Sequence, residues 1–121
     1  MGLSEAKSLL RVKEDLTFLD IIARQVEQNR IPLLLMNSFN TQKKSLELLD
    51  KYKYLMENNF PLDFLQHKVP KVDAEYLEPV DYNENKSLEW CPPGHGEIYI
   101  ALKTSGILDE LLNKGIEYAF I

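Results

Sequence analysis

The chain has 121 residues, 45% of them hydrophobic and 27% charged. That is one domain at most or a part of one, and too apolar for whole-chain disorder. The 14 Lys and Arg against 19 Asp and Glu leave a formal charge of −5, which gives no general pull toward nucleic acid or an anionic membrane, although local cations remain available to a small phosphate ligand.

No apolar run approaches the roughly 20 residues of a membrane-spanning helix. The N-terminal segment has neither secretory nor transit character, and the single Cys91 has no partner within the chain, so a cytoplasmic setting is expected.

Residues 17–30 predict a helix, with Thr17 as N-cap and Phe18, Ile21, Ile22 and Val26 on one apolar face. Asp20 near its start and Arg30 near its end suit the helix dipole. The run Ile31 to Met36 then predicts a buried parallel strand that stops at Asn37-Ser38. Residues 42–57 read as a second amphipathic helix with the stripe Leu46, Leu49, Tyr52 and Met56, supported by a Glu47–Lys51 pair at i,i+4.

Pro61 stops that helix before a short strand at Leu62 to Gln66. The stretch 69–90 is irregular, with Val72 to Leu77 as a candidate sheet edge. Residues 97–113 predict one or two helical segments broken at Gly106 and stopped by Gly115, and Glu117 to Ile121 predict a further buried strand. Helix alternating with strand predicts an α/β domain with a mostly parallel sheet. Both ends read as cut rather than finished: no strand precedes the first helix, and the chain stops at Phe120-Ile121, where ligand-contacting residues of an open α/β sheet would begin.

Four places carry candidate chemistry, each with two readings. In Trp90-Cys91-Pro92-Pro93-Gly94-His95-Gly96-Glu97, two prolines and two glycines frame a histidine just before a helix. This is either a rigid turn whose bare backbone meets a base edge or a phosphate, or a structural Pro-Gly turn with an exposed histidine. Lys7 either neutralises a phosphate as a point charge or is a solvated surface lysine. Asn37 to Thr41 either contact a ligand at a strand's carboxyl end or cap the next helix. Gln66 either pairs with an imide edge, donating and accepting together, or lies on the surface. With two histidines, His67 and His95, far apart in sequence and one cysteine, spacing supports no metal site. There is no Walker A motif, nucleophile elbow, CxxC pair or HExxH pattern.

Taken together, Met1-Gly2 with Ala6-Lys7-Ser8, LTFLDIIARQ (16–25), LLLMNSFNT (33–41), FLQHKVPK (64–71), WCPPGHGEIY (90–99) and SGILDELLNKGIEYAFI (105–121) resemble the UTP–glucose-1-phosphate uridylyltransferase family, in the family's order. The resemblance implies a partial Rossmann-like nucleotidyltransferase domain of the glycosyltransferase-A-like kind. It also implies that 1–121 is an internal fragment of the catalytic domain, without the glycine-rich phosphate loop, the metal- and sugar-binding turn and the C-terminal domain.

By the same resemblance Lys7 is the catalytic and nucleotide-binding lysine, Gln66 and Gly94 meet uracil, and His95 contacts the sugar phosphate. Asn37 and Ser38 lie near the nucleotide without an assigned bond, and Glu97 stands where many relatives carry Asp. The implied substrates are UTP and glucose 1-phosphate, with Mg²⁺ held by an acidic residue outside this chain. A phosphate oxygen would attack the α-phosphorus in line, ionised already and so needing no strong base. The alternatives are a uridylyltransferase for another sugar 1-phosphate and a non-catalytic uridine-nucleotide or protein-interaction module. The fragment alone is expected to be inactive.

Overall fold

A computed structural model describes residues 6–121; the Met1-Gly2 pair singled out above lies outside the described residues. The chain divides into two units, the first running to Leu65 and the second from Gln66 to Ile121.

In the first unit, Lys7–Leu9 form a 3-10 turn. It is followed by an antiparallel pair, β1 (Arg11–Lys13) and β2 (Leu16–Thr17). These strands precede the first helix, where the sequence reading expected none; they are only three and two residues long, too short for a periodic signal.

Helix α1 (Phe18–Asn29) opens as expected at Thr17. The Thr17 hydroxyl accepts from the Asp20 amide at 3.1 Å, and Asp20 Oδ2 accepts from the Thr17 amide at 2.9 Å, a complete capping box. The buried face differs from the expected stripe. Leu19, Asp20, Ala23 and Val26 are inside, whereas Phe18 and Ile22 are exposed. Asp20 is drawn inward by what it binds: Tyr52 Oη donates to its Oδ1 at 2.6 Å and Lys51 Nζ lies 2.5 Å away.

The same cluster explains why the second predicted helix is two. Helix α2 (Gln42–Leu49) ends, Tyr52 takes a non-helical conformation that lets its hydroxyl reach Asp20, and α3 (Lys53–Glu57) begins after it. Lys51 is therefore engaged with Asp20 rather than with Glu47, and Glu47 lies 3.9 Å from Lys43. The core is Leu19, Ala23 and Val26 against Leu49, Tyr52 and Leu55, ringed by Leu33, Leu35 and Leu62.

Strand β3 (Leu35–Asn37) pairs in parallel with β4 (Asp63–Leu65), in the register Leu35 to Asp63, Met36 to Phe64 and Asn37 to Leu65. This is the expected parallel element. The other two described strand pairs are antiparallel.

In the second unit, β5 (Val69–Pro70) pairs antiparallel with β6 (Trp90–Cys91). Between them the expected edge reduces to a single bridge, Val72 to Pro79. Helices α4 (Ile98–Thr104) and α5 (Ile107–Asn113) are separated at Gly106, as the sequence predicts, with Gly106 at φ +78°. Residues 117–121 form no strand: they pair with no described strand, and an extended segment satisfies its backbone only beside a neighbour.

Candidate nucleotide site

In the first unit the parallel pair delivers Asn37 and Ser38, both buried, to its carboxyl end. Asn37 Nδ2 donates to Asp63 Oδ2 at 3.1 Å, the Ser38 amide donates to Thr41 Oγ1 at 3.0 Å, and the Thr41 hydroxyl lies 3.3 Å from Asn37 Oδ1. Ser38 O accepts from the Thr41 and Gln42 amides at 3.0 and 3.1 Å. These polar groups tie β3 to β4 and to the turn before α2, although no side chain caps that helix. Lys7 is exposed on its 3-10 turn, and the Leu10 amide donates to its carbonyl at 3.1 Å.

The second unit gathers the other three candidates. The β5–β6 register sets Val69 beside Cys91 and Pro70 beside Trp90. Followed outward, the ribbon leads back to Gln66 on one strand and forward to Gly94 on the other. An antiparallel pairing thus brings both to one end although they are 28 positions apart in sequence. Lys68 stands over the Trp90 ring, 4.8 Å from its centroid, across the same ribbon.

Gly94 has φ +115° and ψ −177°, a conformation side chains resist. An added Cβ would meet nothing within 4 Å, so the glycine is required by the backbone and not by crowding. His95, exposed, opens the 3-10 turn His95–Glu97, whose first bond runs from the Glu97 amide to Gly94 O at 3.3 Å. Gln66 is half-buried, and its Oε1 is buried with no hydrogen-bond partner. Such an acceptor costs about 1–3 kcal/mol until a donor reaches it.

Two residues outside the predicted site join these pieces. The His67 amide donates to both Glu97 carboxylate oxygens at 3.2 Å, and His67 Nδ1 makes a further bond to Glu97 Oε1. Thr104 Oγ1 lies 3.2 Å from His67 Nε2. Sequence reasoning placed Glu97 only as a helix-start acid; a partner 30 residues away leaves no local pattern. Among the described residues no three His, Cys, Asp or Glu converge on one point, and no helix is long and apolar enough to cross a membrane.

This arrangement is a nucleotidyltransferase fold. The chain superposes on the UDP-glucose phosphorylase of Trypanosoma brucei with a TM-score of 0.83 and 42% identity, covering 95% of this chain and 26% of that one. On a substituted UDP-glucose pyrophosphorylase of Leishmania major, crystallised in complex with UDP-glucose, the TM-score is 0.82 at 41% identity, over 96% of this chain and 26% of that one. In sequence it is 40% identical to the UTP–glucose-1-phosphate uridylyltransferase of Solanum tuberosum and 38% identical to UTP–glucose-1-phosphate uridylyltransferase 2 of Dictyostelium discoideum. Each match takes in all of this chain and 26% or 25% of the relative.

The model of the family described as UTP–glucose-1-phosphate uridylyltransferase matches residues 1–121, and the chain belongs to that family. It spans about a quarter of the length of the relatives it matches.

Proposed function

We propose that this chain serves the transfer of a uridylyl group from UTP to glucose 1-phosphate, in the cytoplasm, and that residues 1–121 are an internal part of the catalytic domain with uridine recognition as their share of the work. The observation that carries the reading is the orphaned Gln66 acceptor at the same end of the β5–β6 ribbon as the open Gly94 backbone. A uracil imide offers one N–H donor flanked by two carbonyl acceptors. A glutamine amide answers a donor and an acceptor at once, and a backbone N–H answers the second acceptor. Cytosine reverses the donor at ring position 3 and the acceptor at position 4 but keeps the carbonyl at position 2, so two of these three contacts are left unmatched.

In this reading His95 faces the sugar phosphate and Lys7 neutralises nucleotide phosphate charge. The attacking phosphate oxygen needs no base, so these residues bind, orient and neutralise. Mg²⁺ supplies further neutralisation of the phosphates when bound. The described residues do not fit a complete shell for it.

Titrating the purified chain with UMP and CMP tests the reading. UMP is expected to bind about tenfold more tightly, and Gln66→Ala to remove the difference. Equal affinity for the two nucleotides in the unsubstituted chain would overturn it.

A further inference from the structure

The Glu97 side chain is only 10% exposed, yet it touches neither base nor phosphate in the reading above. It spends both oxygens on His67, the residue after Gln66, while its own backbone closes the turn that starts at Gly94. We propose that His67 and Glu97 are positioning residues: a hydrogen-bonded clamp, in which the Glu97 carboxylate takes the His67 amide and ring, that fixes the Gln66 amide against the Gly94 backbone and so sets the preference for uracil. The inference rests on the uridine reading of this end of the ribbon and adds to it how the recognition groups are held.

The His67 ring is held from both sides: Nδ1 bonds to Glu97 Oε1 from the 3-10 turn, and Nε2 lies 3.2 Å from Thr104 Oγ1 on α4, whose hydroxyl donates to Ile100 O at 2.9 Å. Of the nearby cations, Lys68 stands over Trp90 and Lys103 pairs with Asp109 at 3.1 Å.

Two measurements on the 121-residue chain test this. Hydrogen exchange of the His67 amide should be slow, because both Glu97 oxygens hold it, and faster in Glu97→Gln. UMP and CMP titrations should show UMP binding about tenfold weaker in Glu97→Gln, CMP binding little changed, and the preference restored in Glu97→Asp, which keeps the carboxylate. His67→Ala retains the amide bonds to Glu97 and should fall between; it decides the question if Glu97→Gln fails to fold.

A His67 amide whose exchange is unchanged in Glu97→Gln overturns the clamp. An unchanged UMP/CMP ratio in folded Glu97→Gln or His67→Ala overturns the positioning role while leaving the uridine reading intact. Absence of any UMP preference in the unsubstituted chain overturns both.

Discussion

Asp20 shows how much one buried residue organises. Burial alone would raise its pKa. The Lys51 ammonium, the Tyr52 hydroxyl and the Thr17 backbone and hydroxyl outweigh that and hold it far below the ordinary carboxylate value of 3.8. An unfolded Asp20 takes up a proton near pH 3.8 while the folded one resists, so its contribution is complete above that value and is lost as pH falls below it. Tyr52 has the opposite dependence. Burial first, then the bond to Asp20, push its pKa from 10.0 up to about 12. Its contribution is present below pH 10 and is lost as pH rises from 10 toward 12, because the unfolded tyrosine ionises first. Urea midpoints across pH should therefore fall on both limbs, and Tyr52→Phe should flatten the alkaline limb and, because its hydroxyl helps hold Asp20 down, make the acid limb shallower. An alkaline limb unchanged in Tyr52→Phe would assign it to another group. Asp20→Ala, which removes the side-chain half of the capping box and takes the carboxylate acceptor from Tyr52 and Thr17 together, should cost about 3 kcal/mol at pH 7.

At the scale of elements, local signals were legible and distant ones were not. The Thr17 cap, the Gly106 break and the apolar strands read at 31–36 and 62–66 declare themselves within a few residues, and each is present, the strands shortened to Leu35–Asn37 and Asp63–Leu65. The buried side of α1 and the break between α2 and α3 depend on Asp20 meeting Tyr52, 32 positions away, which periodicity cannot carry. The candidate site divides the same way. Gln66 and Gly94 were marked by residue type, but their placement at the same end of a ribbon depends on strand pairing, and so does the bond between His67 and Glu97.

Helix α1 also ends in a way its sequence disguises. Arg30, at φ +53° in the left-handed region, closes it, with its amide donating to Glu27 O at 3.2 Å and the Ile31 amide to Val26 O at 3.1 Å. This is a glycine's position held by an arginine. Arg30→Gly should raise stability by about 0.5–1 kcal/mol in thermal unfolding. A loss would mean that the arginine side chain contributes more than the backbone strain costs.

Across the whole chain, buried apolar side chains are unevenly shared. The first unit has a continuous cluster from α1 to α3, whereas in the second unit Ala101 is the buried one among the described apolar side chains. Tyr99 and Ile100 on α4, Leu112 on α5 and Tyr118, Phe120 and Ile121 after it are exposed together in that unit. Large apolar surface in water is a driving force for association, whatever covers it. The isolated chain is therefore expected to self-associate as its concentration rises and to bind an apolar dye under native conditions. Tyr118→Ser with Phe120→Ser should reduce both, because these two side chains are the most exposed of the set, at 89% and 105%, and support no packing whose loss would unfold the chain. Light scattering against concentration reads the first effect and dye fluorescence the second. A chain that stays monomeric and dye-free would show that these side chains find cover within the chain in solution, and the weakly buried second unit would then need a different packing from the one described.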